Sequence, residues 1–144
     1  MLARVLSAKI REYAPTNPVE QENVLQELMQ HYVLSSLARA GLFTTAMFHG
    51  GTCLRIVYGM NRFSEDLDFL LKQPTPGFRW QRYLESVRKG CAREGIPFEV
   101  QDKTEVGTAV QKAFLKTDSI GKILALDLPF ERYQARKIRI KLEI

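Results

Sequence analysis

Two aspartates, Asp66 and Asp68, stand one residue apart in the run "DLDFLL". In a strand, side chains two apart share a face, so both carboxylates point one way and Leu67 and Phe69 the other. Like charges this close repel. The pair is tolerable if solvated, if one member holds a proton, or if a cation sits between them. Magnesium or manganese suits it, as a hard ion that takes oxygen ligands and keeps substrate phosphates in its shell. Two such ions about 3.5–4 Å apart can activate an attacking hydroxyl and stabilise a departing pyrophosphate. That chemistry calls for a third acid on a neighbouring strand. The run "KIRIKLEI" alternates, with Ile138, Ile140, Leu142 and Ile144 on one face and Arg139, Lys141 and Glu143 on the other. Glu143 is therefore the candidate third metal ligand. Lys141 shares its face and is a candidate substrate contact.

Ahead of the acids lies "FHGGT". A short apolar run followed by two glycines and a helix-compatible stretch reads as a strand–turn–helix junction. Backbone N–H groups and the positive end of a helix dipole at such a junction hold phosphates. Gly50 and Gly51 let the backbone approach closely, and Thr52 can cap the helix and offer a hydroxyl. The turn is neither a Walker A loop nor a dinucleotide fingerprint, since no Gly-Lys-Ser/Thr and no third glycine follow. Arg62 either contacts phosphate or pairs with Glu65. Ser64 is a further candidate contact, or a turn residue. Arg55 on the short helix either reaches a triphosphate or faces solvent, with solvent favoured; His49 reads as structural and His31 as non-catalytic.

The elements that must position these groups follow from periodicity and punctuation. Leu2, Val5, Leu6 and Ile10 have helical spacing that Pro15 closes. Asn17, Pro18 and Glu20 supply an N-cap, a first-turn proline and a capping-box acid for a long helix. Leu25, Leu28, Met29, Tyr32, Val33 and Leu37 form its apolar face, and Gly41 ends it. A strand over 46–48, a short helix over about 52–58 and a strand at "DLDFLL" come next. Trp80, Leu84, Val87 and Cys91 mark a second long helix ending near Gly95, with Trp80 in the core. Two strands in a hairpin around Gly107 are expected over 98–116. The stretch 120–136 is open between helix, strand and loop. The mixture gives an α+β or mixed α/β class, with a mixed sheet flanked by helices.

The chain of 144 residues suits one domain with a core of its own. Its apolar fraction of 45% argues against disorder, and a formal net charge of +5 weakly favours polyanionic partners. Cys53 and Cys91 match no metal spacing and read as buried thiols in a reducing compartment. No apolar run approaches the roughly 20 residues that span a bilayer, and lysine and arginine interrupt the first ten residues. The expectation is a cytoplasmic protein with no membrane partner.

Gly50-Gly51-Thr52, thirteen residues (53–65), then Asp66-Leu67-Asp68-Phe69 resembles the signature of the DNA polymerase beta-like nucleotidyltransferase superfamily. Threonine stands where serine or glycine is more usual. Together, "GGTCLR", "RFSEDLDF" and "IRIKLEI" are similar to the AbiEii/AbiGii toxins of toxin–antitoxin and phage-defence systems, over about residues 17–144. The resemblance implies a polymerase beta-like fold in which Asp66, Asp68 and Glu143 hold magnesium or manganese. It also implies a phosphate turn at Gly50, Gly51 and Thr52. The activity implied is transfer of a nucleotide from a nucleoside triphosphate to an acceptor, for some members transfer RNA, under the control of a cognate antitoxin. Residues 1–144 would then be the catalytic domain, truncated before a largely helical C-terminal half. Two other readings are an inactive fragment that binds nucleotide or a partner, and a basic nucleic-acid-binding module with incidental acids.

Overall fold

The computed structural model describes residues 2–103, 110–117, 128, 130 and 138–144. Helix α1 (Leu2–Tyr13) stops ahead of Ala14, at φ 47°, and Pro15. Helix α2 spans Pro18–Arg39, and the Asn17 side chain accepts the Glu20 N–H at 2.9 Å. The capping box is not reciprocal, because the Glu20 carboxylate accepts from the Thr16 hydroxyl at 2.8 Å instead. Gly41, at φ 90°, turns the chain out of the helix into a short 3-10 turn, Leu42–Thr44. A left-handed residue there costs glycine nothing.

Among the described residues, five strands follow: β1 (Ala46–His49), β2 (Asp66–Leu71), β3 (Glu99–Asp102), β4 (Lys112–Thr117) and β5 (Ile138–Glu143). Helix α3 (Gly50–Ile56) lies between β1 and β2, and α4 (Trp80–Arg93) between β2 and β3. The sheet order is β1-β2-β5-β4-β3. Strand β5 inserts between β2 and β4, parallel to β2 and antiparallel to β4, so the sheet is mixed, as expected. Strands β3 and β4 pair antiparallel as the hairpin requires. Gly107 and the open stretch 120–136 lie outside the described residues, apart from Leu128 and Phe130.

Alternation separates the two faces of the sheet. Leu67 and Phe69, Ile138, Ile140 and Leu142, and Ala113 and Leu115 are buried in one core with residues of α2 and α4. Trp80 of α4 is fully buried, meets Phe69 edge-on at 5.5 Å between centroids, and donates its indole N–H to the Gln111 carbonyl at 3.1 Å. The other face carries Asp66, Asp68, Lys141, Glu143 and Lys112, none of them fully buried. The acids thus sit on the polar side of the two central strands, while the intervening leucines anchor the backbone beneath.

Helix α2 packs against α1, α4 and β5, so it is covered on most of its circumference. Gln21, Glu27, Gln30 and Ser36 are buried with its apolar residues. Buried polar groups need partners: Gln30 finds them in the segment leading to the acids, and Glu27 in α1 and α3.

Candidate functional site

Strand β1 delivers the chain to the glycine turn. Gly50 has φ 85°, and a Cβ placed on it would lie 2.6 Å from Asp68 Oδ2. The turn therefore needs glycine twice over, for its conformation and for the close passage of the Asp68 carboxylate. A Cβ on Gly51 would meet Ser64 Oγ at 3.1 Å. Helix α3 begins on Gly50, two residues earlier than the sequence suggests, and ends at Ile56. The glycines are its first turn.

Gly50→Ala is expected to cost about 1–2 kcal/mol from the left-handed conformation alone, and to push Asp68 out of place. Thermal denaturation reads the first effect. Loss of triphosphate affinity in the folded variant reads the second, and unchanged affinity would detach the turn from the acids.

Thr52 corrects one expectation. It is fully buried, and its hydroxyl donates to the Asp66 carbonyl of β2. The side chain is not available to a phosphate. It joins the glycine turn to the acidic strand instead.

Arg55 corrects another. It does not face solvent: Nε donates to Glu27 at 2.9 Å, Nη1 to the Met60 carbonyl at 3.0 Å, and the guanidinium lies 4.3 Å from the Phe63 ring centroid. Tyr13 donates to the same Glu27 at 3.1 Å, and His31 Nε2 stands 3.8 Å away. Burial pushes the Glu27 carboxyl up, but His31, Arg55 and Tyr13 together outweigh it and hold it below the usual carboxylate range. Gln30 donates to the carbonyls of Ser64 and Glu65 at 2.8 and 3.0 Å. Helix α2 thus pins the loop that enters β2. These roles escaped the sequence reading, although an amide and an acid among Leu28, Met29 and Val33 are the signal of a helix that buries polar groups.

The three acids lie on one face of two paired strands. Strand β5 lies beside β2, with Glu143 opposite Asp68 and Lys141 opposite Asp66. Burial raises the Asp68 carboxyl above its ordinary value, and the charges of Glu143 and Asp66 raise it further, against His49 and Lys141. Lys141 Nζ lies 2.9 Å from Glu143 Oε1 and 4.0 Å from Asp66 Oδ2. Lys112, which the sequence did not single out, reaches Glu143 Oε1 at 3.8 Å from β4. Its place beside Glu143 depends on strand register, which no short motif encodes. Among the described residues, no three His, Cys, Asp or Glu side chains are arranged as they stand to hold a metal ion. The acids share a face but do not close into a cage, and Glu143 is turned to a lysine.

Arg62 is exposed. With Ser64, Glu65, Asn61, Asn23 and Gln26 it lines a polar cavity of about 320 Å³ beside the loop. His49 is exposed at the start of α3, in register with Asp68 across β1 and β2. Cys91 is buried, its thiol pushed up to about 12 by that burial. Cys53 is only half-buried, contrary to the sequence reading. No helix among the described residues is long and apolar enough to cross a membrane.

A mixed sheet that sets a glycine turn against acids on two parallel neighbours is a nucleotidyltransferase fold. The chain resembles the crystal structure of a protein from H. pylori described as a candidate nucleotidyltransferase, with a TM-score of 0.53 and 23% identity. The likeness covers 83% of this chain and 44% of that one, so the chain spans under half of that protein's length. Residues 32–144 match the family described as nucleotidyl transferase AbiEii toxin, type IV toxin–antitoxin system, and the chain belongs to that family. Helix α1 and the first part of α2 precede the matched region. No curated protein matches the chain.

Proposed function

We propose that the chain carries the catalytic site of a magnesium- or manganese-dependent toxin that transfers a nucleotide from a nucleoside triphosphate to an acceptor. Transfer RNA is the acceptor class we favour. The observation that supports this is the register of Asp68 with Glu143 across β2 and β5, with Asp66 on the same face and the Gly50 turn against Asp68. The donor set is all carboxylate oxygen, the kind that magnesium and manganese take.

In this reading Asp66, Asp68 and Glu143 hold the divalent ion, which when bound supplies charge neutralisation at the phosphates. The N–H groups of the Gly50–Gly51 turn hold the triphosphate, and Ser64, beside Gly51, borders it. Arg62 and Lys141 are the candidate cationic contacts for a polyanionic substrate. The repulsion that Glu143 and Asp66 exert on Asp68 would be relieved by a divalent ion, and phosphate oxygens that complete the ion's shell would couple its binding to that of the triphosphate. Most of the rate comes from positioning and charge compensation. Residues 1–144 serve as the catalytic domain, joined in the whole protein to a helical half that completes the acceptor site. A cognate antitoxin, a role in phage defence and a cytoplasmic location complete the proposal.

The test is transfer of radiolabelled nucleotide from each of the four triphosphates to a transfer RNA pool, with magnesium and with chelator. Magnesium-dependent labelling that Glu143→Gln abolishes is expected. Labelling that ignores Glu143 would overturn the site. Triphosphate binding without labelling would leave a binding protein in place of an enzyme.

A further inference from the structure

Lys141 stands where its charge has two different uses. Its ammonium is 2.9 Å from Glu143 Oε1 and 4.0 Å from Asp66 Oδ2, and it approaches from β5, the strand that also carries Glu143. Asp66 lies directly opposite Lys141 across the parallel ladder, and Glu143 is two residues on along the same face. A lysine ammonium is a compact charge with three donors on a four-carbon stem. It can therefore engage two carboxylates at once and release them by rotating the stem.

We propose that Lys141 is a built-in counter-ion of the three-carboxylate cluster, which competes with the divalent ion for Glu143 and Asp66 and swings away when metal and triphosphate bind together. The inference rests on the metal-site reading above and adds a regulating residue to it. Free metal then meets a site already neutralised in part, which weakens its binding. Metal bound to triphosphate brings phosphate oxygens that offer the displaced ammonium a new partner. The residue thus makes occupancy by metal conditional on substrate.

The experiment is a titration of the protein with manganese alone, read by electron paramagnetic resonance of the free ion. Lys141→Met keeps the stem length and removes the charge. It is expected to tighten manganese binding roughly tenfold, the effect of removing one nearby charge at a partly screened site. Lys141→Arg keeps the charge and should bind manganese as weakly as wild type. If Lys141→Met loses its cooperative melt, Lys141→Gln carries the same comparison. Unchanged or weaker manganese binding by the folded, uncharged variant overturns the competition while leaving the metal site standing, provided Asp66→Asn still abolishes binding. Manganese binding that ignores Asp66→Asn overturns both.

Discussion

Asp68→Asn is expected to abolish magnesium-dependent triphosphate binding and to lower nucleotide transfer by at least about 100-fold, the scale of losing one preorganised electrostatic group. Asp68 is the acid that joins the glycine turn to the other two acids. Gly50 passes against its carboxylate, Glu143 faces it across the ladder, and Asp66 lies two residues away. An amide has the same shape but no charge, so the turn keeps its geometry while a metal held there would lose a ligand. Calorimetry with and without magnesium reads the binding, and a labelling assay reads the transfer. Equal triphosphate affinity in the variant, with magnesium present, would remove Asp68 from the site.

The same substitution should stabilise the free protein at neutral pH. Burial, Glu143 and Asp66 raise the folded-state value of Asp68 above its unfolded one. The folded state therefore binds more protons in the window between the two values, and stability falls as pH rises through it. Asn escapes that loss. The gain in melting temperature should be full above the raised value and vanish below the ordinary carboxylate range. A variant less stable than wild type at pH 7 would contradict it.

Glu27→Leu should cost about 3 kcal/mol or more, because removing one partner of a buried ion pair leaves the other uncompensated. Arg55 would lose its Nε acceptor and Tyr13 its hydroxyl partner. The damage should travel: Arg55 also holds the Met60 carbonyl and covers Phe63, in the loop that carries Ser64. Urea denaturation measures the loss, and Glu27→Gln, which keeps an acceptor, should lose less. Glu27 behaves opposite to Asp68 with pH. Its folded value is depressed, so its contribution is present above the unfolded value and disappears as pH falls through the folded one. Glu27→Leu should therefore show a flatter acid limb than wild type, and equal stability at neutral pH would refute the role given to the pair.

Local rules made the acidic pair and the strand alternation legible. A period of two assigns faces without reference to any partner: it put Asp66 with Asp68, and Lys141 with Glu143, on one face of each strand, while the adjacency of the two strands came only with the fold. The glycine turn was legible for the same reason: Gly-Gly-Thr after an apolar run is a local signal. What was not legible depends on contacts between distant segments. Arg55 looked exposed because its counter-charge, Glu27, lies in another helix, and only tertiary packing brings the two together. Thr52 looked like a phosphate ligand because its hydroxyl is suited to one. Its commitment to the Asp66 carbonyl is a property of how α3 docks on β2. Lys112 reached the site through β4, whose register against β5 is set by the whole sheet.

The pairing of β2 with β5 also has a consequence for how the protein comes into being. Asp68 and Glu143 are adjacent in space but far apart in the chain, and their strands are parallel, so no hairpin can bring them together. Such a contact forms late, after the entropy of closing a long loop has been met. During synthesis the ribosome releases the glycine turn and both aspartates well before the third acid exists as peptide. The three acids therefore share one face of the sheet only once the central strand β5 has inserted between β2 and β4, two strands already made.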